Sequence, residues 1–341
     1  MKILVFGAGA IGLAFGGFLS REHEVALVGR RSYLDLIRKG GLRVTGIWGR
    51  HTFRSFALFE DAEAVRKAGL KFDLILVTVK SYDTQAAALA LKKNLSPETI
   101  VLSLQNGLGN IETLEKYLPR PRILAGRVIF GVELKPVRHG AKAAEIKVTV
   151  CAQPTAVGEV RGKKITPRVR RIVRAMARAG IPAVTTHDVR RLLWAKVVYN
   201  SALNPLASLM DCHYGALGED PSTRLAMDRV ITEVYAVATR AGLTLKPSRV
   251  EAYRRFFYGK LLPKTYYHHP SMLQDLKRGK RTEIESLNGE VARIGKRYGV
   301  PTPVNEWLAE LIRKKEKVFS APKGTLSNPR CLIKGAWGGS F

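Results

Sequence analysis

Lys196, Asn200 and Asn204 fall at i, i+4 and i+8 of the segment Leu193-Trp194-Ala195-Lys196-Val197-Val198-Tyr199-Asn200-Ser201-Ala202-Leu203-Asn204-Pro205, whose other positions are mostly apolar. On a helix this spacing sets three polar groups on nearly one stripe. A lysine on an otherwise buried helix has to find a partner or shift its pKa, and either outcome suits a proton donor. The plainer reading is a lysine that lies along apolar surface and keeps its ammonium in water.

A second constellation opens the chain, where the apolar run Lys2 to Phe6 leads into Gly7-Ala8-Gly9-Ala10-Ile11-Gly12. This is the GxGxxG spacing of a dinucleotide-binding turn. Gly7 makes the tight bend, Gly9 admits a pyrophosphate close to the backbone, and Gly12 lets helix and strand pack closely. The helix N-terminus then offers free N–H groups to the phosphates. A secretory signal is the competing reading of this stretch, but five glycines before Ser20 and the lack of a small-x-small cleavage site argue against it.

At the end of the next strand, Arg30-Arg31 replaces the acidic residue that would hold an adenosine ribose, which favours NADP over NAD unless the pair is only a solvated loop. Two later strands end in Thr78-Val79-Lys80-Ser81 and Gln105-Asn106-Gly107-Leu108-Gly109. Open α/β sheets bind ligands at that edge. Lys80 is a candidate for the cofactor or a reacting carbonyl, and Asn106 for a nicotinamide amide or the substrate. A surface lysine and a turn asparagine are the bland alternatives.

Downstream, His268-His269-Pro270-Ser271-Met272-Leu273-Gln274-Asp275 leads to Arg281-Thr282-Glu283. Ser271 with Gln274 fits a helix capping box, and Glu283 reads equally as a solvated carboxylate. The paired histidines lack the spacing and carboxylate company of a metal site, so no metal is expected.

The elements that must position these groups follow from periodicity. Strand-like runs at Glu24 to Val28, Leu74 to Val79, Thr99 to Leu104, Ile123 to Val132 and Ile146 to Val150 alternate with helical ones, including a helix opening near Leu13. The expected fold is α/β, a Rossmann-type domain over residues 1–187 with a mostly parallel sheet, followed by an all-helical domain over 188–318. Its helices are expected over Leu192 to Leu209, Thr223 to Ala241, Ser271 to Tyr298 and Pro303 to Val318. Residues 319–341, with Trp337 and Phe341, form a tail without an assigned role.

With 341 residues and ordinary apolar and charged shares, the chain is long enough for two cores. Cys151, Cys212 and Cys331 make no disulfide or metal pattern and point to a reducing cytoplasm. No apolar run approaches the roughly 18 residues of a membrane span. The net charge of +29 is the one abnormal global quantity. Its basic residues are scattered and lack aromatic interleaving, which argues against a nucleic-acid module. The Arg-dense segment Arg161 to Arg178, with a helix starting at Pro167, reads as a solvated face. Only four Gln in the chain favour a thermophilic surface as the source of the charge.

Taken together, GAGAIG at the N-terminus, VTVKSYDT around Lys80, SLQNGLGN around Asn106, KVVYNSALNPL, and SMLQDLKRGKRTEIESLNG ending near GVPTP resemble the ketopantoate reductases over nearly the whole chain, to about residue 318. The resemblance implies NADPH-dependent reduction of 2-dehydropantoate to pantoate, on the route to pantothenate and coenzyme A, by a homodimer whose helical domain serves substrate binding and dimerisation. It makes Lys196 the general acid and Glu283 the carboxylate that supports it and binds substrate. Asn200, Asn204 and Ser271 become substrate contacts, while Lys80 and Asn106 lie beside the nicotinamide and the reacting carbonyl. His268 stands where family members often carry Asn. The alternatives are a reductase of another branched 2-oxo acid, or a noncatalytic NADP-binding regulator, against which the retained Lys196 and Glu283 argue.

Overall fold

A computed structural model describes residues 1–320; residues 321–341, and with them most of the expected tail, lie outside the described part. The chain opens with β1 (Lys2–Phe6), α1 (Ala10–Leu19), β2 (Glu24–Val28), α2 (Arg31–Gly40), β3 (Leu42–Gly46), β4 (His51–Phe53), β5 (Ala57–Phe59) and α3 (Ala62–Lys67). It continues through β6 (Leu74–Val77), α4 (Thr84–Lys92), β7 (Ile100–Ser103), α5 (Asn110–Tyr117), β8 (Ile123–Leu134), β9 (Ala144–Glu159), α6 (Pro167–Arg178) and β10 (Ala183–Thr185).

These strands form one sheet in the order β4-β3-β9-β8-β7-β6-β1-β2-β5, with β10 beside β9. Its central strands are parallel, and β3–β4 and β8–β9 are antiparallel. Both faces of β1 are covered, so it reads as a continuous apolar run. Ile3 and Val5 pack with Leu13, Phe15 and Ile172 on the α1 and α6 side, and Leu4 and Phe6 with Ala88, Leu91 and Leu114 on the α4 and α5 side.

The strand expected at Ile146 to Val150 is longer, because β9 runs past bulges opposite β8. Its middle, Val150 to Pro154, is exposed except for half-buried Cys151, so no apolar run announces it.

The chain divides into two compact units between Trp194 and Ala195, a point inside α7 (Val189–Met210). The second unit is helical. After α7 come α8 (Tyr214–Glu219), α9 (Pro221–Arg240), α10 (Val250–Phe256), α11 (Leu262–Lys264), α12 (Ser271–Lys277), α13 (Asn288–Tyr298) and α14 (Pro303–Ser320). Val230, Ile231, Val234, Val291, Leu308 and Ile312 are among its fully buried side chains.

Three expectations are corrected here. The single helix over Ser271 to Tyr298 is interrupted after α12, where Gly279 takes φ +62°, a left-handed value that ends a helix readily in glycine. The capping box also fails, since Pro270 occupies the cap position at φ −66°, ψ 149° and Ser271 is already the first helical residue, with no side-chain cap. The tail also begins later than expected, because residues 319 and 320 complete α14.

The far end of α7 is held by Lys315 of α14, whose ammonium donates to Ser208 O (2.7 Å) and Leu209 O (2.8 Å). These are carbonyls that a helix end leaves without internal partners. Burial draws the Lys315 pKa below the ordinary lysine value. Lys315→Met is therefore expected to cost about 1 to 2 kcal/mol, the worth of charge-assisted bonds partly replaced by water. Urea denaturation reads it, and an unchanged midpoint would mean that water serves those carbonyls equally well.

Candidate active site

Gly7 has φ +117°, and a Cβ there would meet Val79 N at 2.6 Å. At Gly12 a Cβ would collide with Gly7 O and come within 2.7 Å of Thr78 Oγ1. Gly9, in contrast, has open space where its Cβ would stand. The turn is thus packed hard on the protein side and open at its middle glycine. Gly9 caps α1 without a side-chain bond, and no acidic residue lies in the first turn of that helix. The early amides of Ala10, Ile11 and Gly12 have no acceptor within the helix by construction. Ala8 N, two residues before the helix, is already used by Val28 O (2.8 Å). These residues fit a dinucleotide phosphate.

Thr78 donates its hydroxyl to Gly7 O (2.8 Å), tying the end of β6 to the glycine turn. Gln105, after β7, donates its amide to Val79 O (3.0 Å) and to Thr84 Oγ1 (2.7 Å). Thr84 in turn lies 2.8 Å from Asn110 Oδ1, and the Asn110 amide donates to Asn106 O (2.7 Å). Lys80 and Asn106 therefore stand on two loops that one buried network locks together, at the ends of adjacent parallel strands. Sequence reading named Lys80 and Asn106 and missed Thr78, Thr84, Gln105 and Asn110 as their support. The available signal was a polar residue directly after each apolar run.

Arg30 caps α2 and Arg31 is its first residue, so the pair is not a free loop. The Arg30 guanidinium lies 5.1 Å from the centre of the Tyr33 ring, with no carboxylate at ion-pair distance among the described residues. Arg31 is engaged by Asp35 (3.7 Å) and Glu60 (3.8 Å).

In the second unit, Lys196, Asn200 and Asn204 lie along α7 as their spacing requires. Lys196 and Asn200 are half-buried, and Asn204 is buried. Asn204 Oδ1 accepts the Tyr214 hydroxyl at 2.6 Å. Burial pushes the Tyr214 pKa well above the ordinary phenol value and raises that of Tyr199 to about 12, so both remain donors at neutral pH. Tyr199 pairs with Thr265 at 2.5 Å, and the rings of Tyr199 and Tyr214 meet edge to face. His268 packs its ring 5.2 Å from that of Tyr214. Glu283 is buried, on a backbone fixed by Thr282 N to Glu316 Oε1 (2.7 Å) and by Ser286, whose hydroxyl donates to Glu283 O (3.0 Å). Ser271 is exposed and makes no hydrogen bond to the α7 stripe among the described residues.

Comparison with known proteins covers both halves of the chain. Residues 3–162 match the family described as ketopantoate reductase PanE/ApbA, and residues 188–316 match its C-terminal domain. A 2-dehydropantoate 2-reductase of Aquifex aeolicus is 37% identical over 93% of this chain and 97% of its own. The crystal structure of a PanE/ApbA family ketopantoate reductase from Ralstonia eutropha superposes with a TM-score of 0.82 at 33% identity, over 94% of this chain and all of that one. D-mandelate dehydrogenase, in a ternary structure with NADH and anilino(oxo)acetate, gives 0.81 at 25% identity, again over 94% of this chain and all of that one. Among the described residues no helix is long and apolar enough to cross a membrane. A glycine turn built for a dinucleotide, a polar stripe on α7 and these two matched regions agree, and the chain belongs to the ketopantoate reductase family.

Proposed function

We propose that the protein reduces 2-dehydropantoate to pantoate with NADPH. The observation that carries this reading is the stripe Lys196, Asn200, Asn204 on α7, in a chain whose glycine turn is closed against its own backbone and open towards a nucleotide. The nicotinamide supplies the hydride when bound. Lys196 gives its proton to the carbonyl oxygen as negative charge develops there, and its ammonium stabilises that charge beforehand. Glu283, buried on a rigid backbone, holds the ammonium and binds substrate. The amides of Asn200 and Asn204 and the hydroxyl of Ser271 orient the 2-oxo acid. Lys80 and Asn106 serve the nicotinamide side, and Gly7 to Gly12 with Arg30 and Arg31 the rest of the nucleotide. The helical residues 188–318 are assigned to substrate binding and to a homodimer contact, which light scattering of the purified protein tests.

The direct test follows loss of reduced-nicotinamide absorbance when the protein meets NADPH and a panel of 2-oxo acids. Turnover best with 2-dehydropantoate supports the reading. The likeness to D-mandelate dehydrogenase gives a second one, in which another branched or aromatic 2-oxo acid is the preferred substrate. That panel separates the two.

Tyr214 has a positioning role in this scheme. With its hydroxyl given to Asn204 Oδ1, the amide turns its two N–H donors to an acceptor on the substrate. Tyr214→Phe is expected to raise KM for the 2-oxo acid about three- to tenfold with little change in kcat, the worth of one neutral hydrogen bond. An unchanged KM would mean that packing alone orients Asn204.

A further inference from the structure

The segment from Val160 to His187 contains eight Lys and Arg and no Asp or Glu. Within it, α6 buries Val169, Ile172, Ala175 and Met176 in the core beside α1. Its opposite face exposes Arg170, Arg171, Arg174 and Arg178. A solvated face of this kind ordinarily carries acids among its bases, giving pairs at i, i+4. Here none of the four, nor Lys163 or Lys164 on the preceding loop, has a carboxylate at ion-pair distance among the described residues. The two basic residues of the segment that do are Arg161, 2.9 Å from Glu115, and Arg168, 2.5 Å from Glu159. So much unneutralised like charge on one helix is self-repelling, and a polyanion relieves it.

The face has a definite shape. Arg170, Arg174 and Arg178 recur every four residues, a step of about 6 Å along the axis. A duplex strand carries a phosphate about every 3.4 Å of its own axis, so each arginine falls within a side-chain length of a different phosphate. At its N-terminal end the face runs into a concavity of about 710 Å³ lined by Arg161, Lys163, Lys164 and Arg168, with Glu159 as the one carboxylate of its wall. That carboxylate is already held by Arg168 and Thr166. Arginine, which dominates the helix, grips phosphate through its planar fork where lysine acts as a point charge. The exposed positions of α6 hold no aromatic or large aliphatic side chain, as a membrane surface would require, and no Asn or Gln to read base edges.

We propose that the exposed face of α6, continued by the loop Arg161 to Lys164, docks the phosphate backbone of duplex nucleic acid without reading its sequence. The surface is independent of the reductase assignment. It localises to one helix a share of the +29 charge that the scattered pattern of the whole sequence conceals.

The test uses the full chain and a short fluorescein-labelled DNA duplex, with anisotropy titrations between about 50 and 200 mM salt. Wild type is expected to bind with an affinity that falls steeply with salt. The triple variant R170S/R171S/R174S should lose at least tenfold in affinity at the low-salt end, with a log–log salt slope shallower by roughly 2 to 3, about one unit for each lost phosphate contact. A matched triple on the α4 and α5 side of the sheet, K92S/K93S/K116S, should keep the wild-type slope. Both triples should reduce 2-oxo acids as wild type does, since none of the six residues belongs to the site. Three results overturn the proposal. One is no duplex binding by wild type at about 50 mM salt. The second is equal loss in both triples, which would assign binding to diffuse net charge. The third is tighter α6-dependent binding to phosphatidylserine vesicles than to the duplex, which would make this a membrane face.

Discussion

Lys196→Ala is expected to lower kcat by about a hundredfold to ten-thousandfold, the usual contribution of a positioned proton donor. NADPH affinity should stay within about twofold, because the role proposed for the ammonium lies where alkoxide charge appears in the transition state. Steady-state turnover against a fluorescence titration of NADPH separates the two quantities. Near-normal turnover would remove the proton-donor role, and failure to bind NADPH would make Lys196 a cofactor or structural residue. Glu283→Gln keeps the shape of a side chain that is only 7% exposed and removes its charge. It should raise KM and lower kcat together, with a smaller loss than Lys196→Ala. A variant indistinguishable from wild type would leave Glu283 as a structural carboxylate.

The residues of this scheme were legible in the sequence to the extent that their chemistry is local. GAGAIG announces its own geometry, since only glycine tolerates φ +117° at Gly7 or the contact of Gly12 with Gly7 O. The α7 stripe is visible because helical spacing maps sequence directly onto a face. The supports were invisible for the opposite reason. Gln105, Thr84 and Asn110 are joined by bonds across 21 and 26 residues, which no spacing rule connects. Tyr214, ten residues from Asn204, lies on the next helix, so only folding reveals the pairing. Ser271 shows the cost of trusting a local rule, because a preceding proline took the cap position that the motif gave to the serine. The exposed face of α6 was legible as a helix, whereas the lack of carboxylates around it depended on what the rest of the fold brings near.

Arg30→Ala is expected to weaken NADPH by roughly tenfold to a hundredfold, corresponding to about 1.5 to 3 kcal/mol for a charge-assisted contact to a phosphate. NADH, which lacks that phosphate, should be nearly unaffected, so the ratio of the two kcat/KM values reports the contact directly. The position follows from close packing. Gly29 sits so tightly on Ala8 that an added Cβ would stand 2.5 Å from the Ala8 Cβ, which draws the end of β2 against the glycine turn. The next residue is Arg30, with Tyr33 beneath its guanidinium and no carboxylate competing for it among the described residues. Arg31 shares its charge with Asp35 and Glu60 across contacts of 3.7 and 3.8 Å, on a side chain that is 76% exposed. Such exposed pairs hold about 1 kcal/mol at most. Arg31→Ala should therefore shift the ratio less than Arg30→Ala and in the same direction. Wild type that already prefers NADH would overturn the NADPH assignment itself, and an Arg30→Ala protein with an unchanged ratio would place the selection of the 2′-phosphate elsewhere in the chain.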